Sequence, residues 1–298
     1  PNMDPLLWDN PVFMRKFADM RRLFITDMDG TLLDNNAKVN PQSAAIISEL
    51  TGEGALITVA TARTPATVEP LLHDTHTKLP AIVLTGAAMW DREKKQYFNV
   101  RTIPADTPAW LLEAFERHGV SPFVYTLDSP GLLNVYHTRK LTPQENNFYI
   151  DRAHLRLKRF CFLPSLDIKL MQGAPILMLG IAPMENIDYL KATLECNDTI
   201  SVSSYPDLFN SSIGYIEVFG EGVSKASAIS KLKEMTGADS LTVYGDNLND
   251  IPMMRIADDS VAVGNALQAV KDVASRVIGN NFSSAVALDM RAKFHENI

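Results

Sequence analysis

One stretch of this sequence decides its fold: LFITDMDGTLLD, residues 23–34. The apolar run at its start is rich in β-formers and predicts a buried strand. The strand ends in two carboxylates, Asp27 and Asp29, whose i, i+2 spacing points both side chains the same way. Gly30 then allows a sharp turn. Two acids placed together are costly unless a cation or a reaction uses them, so this strand end predicts a functional site.

Similar strand patterns recur at both ends of the chain and are separated by helix patterns and short loops. They lie at 55–60, 81–84, 241–244, 261–263 and 276–278. Asn40 and Pro41 supply a cap and a first residue for the first helix, and Ser224 is a candidate cap for the helix that runs to Met235. This alternation predicts a parallel sheet with right-handed crossovers, so the fold class is α/β.

The pattern changes in the middle of the chain. We predict strands around 88–100, 121–127, 132–137, 158–163, 175–181, 199–204 and 214–219, with hairpin-like pairs among them, and helices near 107–118, 143–157 and 184–195. We interpret 87–220 as an inserted α+β domain, 21–86 and 221–298 as the two halves of the α/β core, and 1–20 as an N-terminal extension.

Composition excludes several classes of protein. The 298 residues carry a net charge of −7 with no Lys/Arg run longer than two, which argues against a nucleic-acid partner. Cys161 and Cys196 have neither metal-ligand nor disulfide spacing and predict reduced core thiols. No apolar run approaches the roughly 18 residues of a membrane span. The charged first 20 residues are unlike a signal peptide, so we expect a cytoplasmic protein with no membrane partner.

The motif Asp27-x-Asp29-Gly30-Thr31-Leu32 resembles the first motif of the haloacid dehalogenase (HAD) superfamily. Three further signals follow in the order of that family: Thr61 at a strand end, Lys225 at a helix start, and Gly245-Asp246-x-x-Asn249-Asp250 after a strand. The resemblance covers 21–298 and extends to the Cof-type hydrolases, whose type IIB α+β cap is inserted before the motif lysine. It implies a Rossmann-like parallel-sheet HAD core with an inserted α+β cap domain that determines substrate specificity.

The chemistry of the motif residues predicts a phosphoryl transfer. A carboxylate is a competent nucleophile toward phosphorus, and Asp27 is our candidate nucleophile. Mg²⁺ would neutralise the phosphate, with the carboxylates of Asp27 and Asp246 as ligands. The resemblance adds the backbone carbonyl of Asp29 as a third ligand and leaves the Asp29 side chain as general acid and base.

The remaining groups would hold the phosphoryl oxygens. Lys225 supplies fixed positive charge to phosphate and nucleophile. The other candidates are the Thr61 hydroxyl, the backbone amides of Met28 and Ala62 and, by resemblance, the Asn249 side chain. Asp250 is expected to orient the loop or a metal-bound water. Ala62 and Thr85 stand where the family commonly has Gly and Asn.

We therefore expect a Mg²⁺-dependent phosphatase that hydrolyses small phosphate monoesters, such as sugar phosphates, through an aspartyl-phosphate on Asp27. Two alternatives stay open: a phosphomannomutase-like phosphomutase, and a non-catalytic protein that binds phosphate esters. The expected partner is a small-molecule phosphate ester, and homo-oligomer formation is left open.

Overall fold

The computed structural model describes residues 21–207 and 210–296. The N-terminal extension predicted at 1–20 lies outside these residues. Within them, no helix is both long enough and apolar enough to span a bilayer.

The strands in the described part of the chain are β1 (Arg22–Thr26), β2 (Leu56–Val59), β3 (Ala81–Val83), β4 (Ala88–Asp91), β5 (Gln96–Phe98), β6 (Phe123–Ser129), β7 (Leu132–Thr138), β8 (Lys158–Leu163), β9 (Ala174–Pro183), β10 (Ile200–Pro206), β11 (Ile213–Gly220), β12 (Ser240–Gly245), β13 (Asp259–Ala262) and β14 (Arg276–Val277). The α-helices are α1 (Pro41–Gly52), α2 (Pro65–Leu71), α3 (Thr107–Arg117), α4 (Pro143–Ala153), α5 (Met184–Leu194), α6 (Lys225–Thr236), α7 (Ile251–Arg255), α8 (Gln268–Lys271) and α9 (Ala285–His295).

The described chain divides into two compact units. The first comprises 21–61, 68–82 and 225–296, and the second comprises 62–67 and 83–224. The second unit therefore begins four residues earlier and ends four residues later than the predicted insertion, and it also takes in 62–67.

The first unit contains a parallel sheet with the strand order β14-β13-β12-β1-β2. Strand β1 lies between β12 and β2, and its Leu23, Phe24 and Ile25 side chains are completely buried. Because the strands are parallel, their carboxyl ends share one edge of the sheet. The predicted α/β class is confirmed, and the sheet edge is where Asp27 lies.

Local signals explain where the first helix begins. The Asn40 side chain accepts a hydrogen bond of 2.9 Å from the amide of Gln42, and Pro41 occupies the first helical position. α9, at the far end of the chain, packs against α1. The two chain segments that flank the insertion therefore form one core.

The second unit is rich in β-structure. Its main sheet has the order β10-β11-β9-β6-β7-β8, antiparallel except for the parallel pair β7–β8. α3 and α5 cover one face of this sheet with a shared apolar cluster. The single strand predicted around 88–100 is instead a hairpin of two short strands, β4 and β5, whose turn has Lys95 at φ 54°.

Two details of the second unit depart from the sequence prediction, one in its backbone and one in its cysteines. Leu84 and Thr85 both have left-handed backbone conformations, with φ of 51° and 57°, and the buried Thr85 hydroxyl finds no hydrogen-bond partner among the described residues. A β-branched residue strongly disfavours this region. Of the two predicted core thiols, Cys161 is half-buried and packs against the apolar cluster beneath α3 and α5, whereas Cys196 is exposed, so the prediction is wrong for Cys196.

Candidate active site

Asp27 lies directly beyond the carboxyl end of β1. Its backbone amide donates to the carbonyl of Tyr244 in β12 at 2.9 Å, so the sheet holds the residue in place. The residue is only 6% exposed. Asp246 follows β12, the neighbouring strand. The first and last thirds of the sequence thus bring two carboxylates to one sheet edge.

The turn after Asp27 requires glycine. Gly30 has φ 75°, and a Cβ on it would lie 2.4 Å from Asp246 Oδ2. Any side chain would therefore collide with the second carboxylate as well as strain the backbone. The Asp-x-Asp-Gly spacing is what lets Asp246 approach the strand end so closely.

Lys225 is the first residue of α6 and is buried between two acids, with 1% of its surface exposed. Its Nζ donates to Asp27 Oδ1 at 2.5 Å and to Asp250 Oδ1 at 2.7 Å. Burial disfavours the ammonium, but the charges of Asp27 and Asp250 outweigh burial and raise the Lys225 pKa. The lysine is a fixed positive charge beside the candidate nucleophile.

Asp250 is fully buried and uses both of its oxygens. Oδ1 accepts from Lys225, while Oδ2 accepts from the backbone amides of Asp246 and Asn247 at 3.0 and 3.1 Å. These contacts suit a residue that positions the loop and the lysine. They also explain Gly245, where a Cβ would lie 2.6 Å from the Asp250 Cβ.

Asp27, Asp246 and Asp250 offer ligand oxygens that all lie within 4.8 Å of one another. When ionised, these acids and Lys225 carry three negative charges and one positive charge, which leaves two negative charges uncompensated. Burial, together with Asp250 and Asp246, raises the Asp27 pKa to about 8 despite the opposing lysine. Burial also raises the Asp246 pKa to about 6.

This donor set fits a divalent cation. Among the described residues, the second oxygens of Asp27 and Asp246 have no protein partner, since Oδ1 of Asp27 accepts from Lys225 and Oδ1 of Asp246 accepts from Thr31 at 2.8 Å. Mg²⁺ prefers one or two carboxylates of this kind, with water and phosphate completing the shell. The cleft that a Gly30 Cβ would fill lies directly beside Asp246 Oδ2.

The other predicted residues are placed as follows. Thr61 is buried just beyond β2, where its amide donates to the carbonyl of Ile82 at 3.0 Å. Met28 is buried, whereas Asp29 and Asn249 are exposed in the two loops that follow β1 and β12. Ala62 is exposed and belongs to the second unit.

Polar side chains that were not predicted from the sequence hold the loops of the site in place. Thr31 holds Asp246, and the Asn265 side chain donates to the carbonyl of Gly30 at 2.7 Å. Asn265 in turn accepts from the amide of Asn281 at 2.9 Å. Asn265 follows β13, so its position beyond another parallel strand is the signal that could have identified it.

With this geometry established, comparison with known proteins identifies the class. The sequence profile of the haloacid dehalogenase-like hydrolases matches residues 24–289. The chain therefore belongs to the haloacid dehalogenase-like hydrolases, as the motif resemblance predicted.

Several curated relatives are phosphatases. The HMP-PP phosphatase of Serratia proteamaculans (strain 568) is 26% identical, with 90% of this chain and 93% of the relative aligned. The pyridoxal phosphate phosphatase YbhA of Escherichia coli (strain K12) is 24% identical, with 89% and 96% aligned. Among solved structures, the HAD subclass IIB sugar phosphatase BT4131 has a TM-score of 0.71 at 19% identity, covering 93% of this chain and 100% of that chain. Hydrolysis of phosphoric monoesters is the activity that fits this family.

Proposed function

We propose that this protein is a Mg²⁺-dependent phosphatase that hydrolyses small phosphate monoesters through an aspartyl-phosphate on Asp27. The observation that carries the proposal is the buried arrangement of Asp27, Lys225, Asp246 and Asp250 at the carboxyl end of β1. A protein that only binds phosphate would have no use for a buried carboxylate directed at an anionic ligand, because two anions repel each other.

The reaction would have two steps. First, one Asp27 carboxylate oxygen attacks phosphorus and the bond from phosphorus to the ester oxygen breaks, while Asp29 gives the leaving oxygen a proton. Second, Asp29 takes a proton from a water molecule that attacks phosphorus, which frees Asp27 and releases inorganic phosphate. The exposed position of Asp29 gives it access to both the leaving group and water.

Each neighbouring group has a part in these steps. Mg²⁺, when bound by Asp27 and Asp246, would keep both carboxylates ionised and neutralise the phosphoryl oxygens. Lys225 would stabilise the charge shared by Asp27 and the transferring group, and Asp250 would hold Lys225 in position. Thr61, Asn249 and the amides of Met28 and Ala62 are the proposed contacts to the phosphoryl oxygens.

The substrate class is proposed from the relatives. The structural relative named above is a sugar phosphatase, whereas the relatives from Escherichia coli and Serratia are named a pyridoxal phosphate phosphatase and an HMP-PP phosphatase. We propose sugar phosphates as the first class to test, with phosphates of small heteroaromatic alcohols beside them.

The deciding experiment measures release of inorganic phosphate from both classes, with Mg²⁺ and with EDTA. Asp27→Asn should abolish release while leaving the protein folded, and Asp29→Asn should slow both steps. Asp272→Asn, which changes an exposed acid of the same unit, is the matched control and should be active. Undiminished release by Asp27→Asn would remove the assigned nucleophile. Transfer of the phosphoryl group to a second sugar in place of release would favour the phosphomutase.

A further inference from the structure

The two faces of the six-stranded sheet in the second unit differ in character. Val124 and Tyr136 belong to the apolar cluster beneath α3 and α5. Their strand neighbours Tyr125 and Val135 therefore lie on the opposite face, and Val135 pairs in register with Phe160. Lys158 is two residues before Phe160, so this face carries a lysine among aromatic side chains.

Lys158 is buried and has no counter-ion within the part of the chain that the structure describes. The residue is 9% exposed. Across 21–207 and 210–296, its Nζ has no carboxylate within 4.0 Å and no hydrogen-bond acceptor. The Nζ lies over the Phe160 ring, 5.7 Å from the ring centroid. Burial, and then the charge of Arg152, lowers the Lys158 pKa to about 8. Burying an ammonium without a partner is costly, and a cation–π contact at this distance offsets little of the cost.

Arg152, from α4, is the second cation on this face. Its guanidinium lies 4.0 Å from the centre of the Phe148 ring, and its Nη1 donates to the Phe148 carbonyl at 3.2 Å. It likewise lacks a carboxylate within 4.0 Å among the described residues. Burial raises the pKa of the nearby Tyr125 hydroxyl, the charge of Arg152 lowers it and the charge of Glu217 raises it. The last turn of α4 favours a cation at Arg152, but no contact among the described residues favours an ammonium at Lys158, and an oxyanion would satisfy both side chains.

The aromatic side chains around the cations form an extended wall. The Tyr149 ring packs edge-on against Phe160 and Phe162, with centroids 5.0 and 5.2 Å apart. Phe148 packs against Phe123 at 4.9 Å. Such rings offer apolar surface to the body of a ligand, while the ammonium and the flat guanidinium offer donors to an oxyanion.

We propose that Lys158 and Arg152 form an oxyanion-binding site of the second unit, which takes a carboxylate or phosphate group attached to an aromatic body. The site is defined by residues of this unit alone and does not depend on the proposed reaction. The oxyanion comes either from a substituent of the substrate or from a separate small molecule, and the two sources are separated below.

Binding is tested first, with the whole protein and benzoate as the probe. Lysine side-chain NMR signals are followed during a benzoate titration near neutral pH, and the Lys158 signal is assigned by its loss in Lys158→Met. The signal should shift saturably, whereas that of the more exposed Lys191, which pairs with Glu195, should not. Arg152→Met should weaken benzoate binding at least about tenfold, and Lys158→Arg should retain it. No saturable shift, or unchanged affinity in both Lys158→Met and Arg152→Met by calorimetry, would overturn the proposal.

Folding of the variants does not confound this test. Lys158→Met removes an unpaired buried charge and keeps the apolar stem, so its thermal unfolding midpoint should equal or exceed that of the wild type. A folded Lys158→Met protein that binds benzoate as tightly as the wild type would show that the lysine is merely buried.

The source of the oxyanion is tested by the phosphatase assay with phenyl phosphate and 4-carboxyphenyl phosphate. A preference for the carboxylated ester that falls at least about tenfold in Lys158→Met assigns the anion to the substrate. Retained benzoate binding with no such preference assigns it to a separate ligand. Failure to hydrolyse either ester would refute the proposed function but not the site, which the titration decides alone.

Discussion

Replacing Lys225 by methionine should destabilise the first unit more than any surface change on the same helix. The substitution keeps the buried stem but removes the ammonium that bonds to Asp27 at 2.5 Å and Asp250 at 2.7 Å. Three carboxylates would then face one another without a protein cation. Removing one partner of a buried ion pair costs about 3–5 kcal/mol, because the remaining charges stay buried and uncompensated.

The pH at which the loss is measured matters. The Asp27 pKa is already raised to about 8, chiefly by burial, and it will rise further without Lys225. At lower pH the variant relieves the repulsion by taking up a proton. The loss should therefore be largest near pH 8 and smaller near pH 6.

The assay is urea unfolding in EDTA, followed by hydrogen exchange of the peptide that contains β1. With a slope of about 2 kcal/mol per M, the expected loss lowers the midpoint by roughly 2 M. Lys231→Met is the matched control on α6: that lysine is 48% exposed in its pair with Glu234, so its loss should cost at most about 1 kcal/mol. Equal effects of the two substitutions would refute the reasoning.

Three further outcomes are expected. In EDTA, the free energy of unfolding should fall as the pH rises from about 4 to 8, because the pKa values of Asp27 and Asp246 are raised in the folded protein and only the unfolded chain releases these protons. Mg²⁺ should offset this fall. An identical melting profile with and without Mg²⁺ at pH 8 would contradict the cation site. Thr85→Asn should raise the unfolding midpoint, with a gain of about 1 kcal/mol, because asparagine tolerates the left-handed conformation; a loss would show that the threonine is not strained. The His137 pKa, measured by NMR, should exceed the ordinary 6.5, since Glu145 and the carbonyls of Thr138 and Ser121 outweigh burial. The contribution of His137 to folding stability is therefore complete below pH 6.5 and is lost as the pH rises through the folded pKa. Glu145→Gln should lower that pKa.

The core fold was predictable because its signals are local. The apolar runs of β1 and β12 are too short and too β-branched for helices, and Asn40-Pro41 marks a helix start by its own chemistry. The strand order was not predicted, because β1 pairs with β12 across the inserted unit and no short connection links these two strands. The hairpin of β4 and β5 was not predictable, because the break at Lys95 depends on a left-handed residue that is neither glycine nor asparagine.

The site was predicted as a set of motifs, but its contacts were not. Sequence spacing cannot show that Asp250 bonds to Lys225, since 25 residues separate them and only the folded loop brings them together. The same holds for Asn265, which reaches Gly30 across 235 residues. The candidate site at Lys158 could not be predicted, because its sequence is that of an ordinary surface lysine and only the fold shows that the side chain is buried without a counter-ion among the described residues.

The pairing of β1 with β12, which lies beyond the inserted unit in the sequence, also sets the order in which the protein can fold during synthesis. One edge of β1 pairs with β12, and the bond between Arg21 and Asp239 at the start of that pairing joins residues 218 positions apart. At about 5–20 residues per second, a ribosome needs roughly 10–40 s to make the intervening chain. Over that interval this edge of β1 has no native partner, while the six strands of the second unit's main sheet find all their partners within their own segment. The inserted unit is therefore expected to be the first to fold, and β1, the strand that precedes Asp27, is the segment for which a chaperone would matter most.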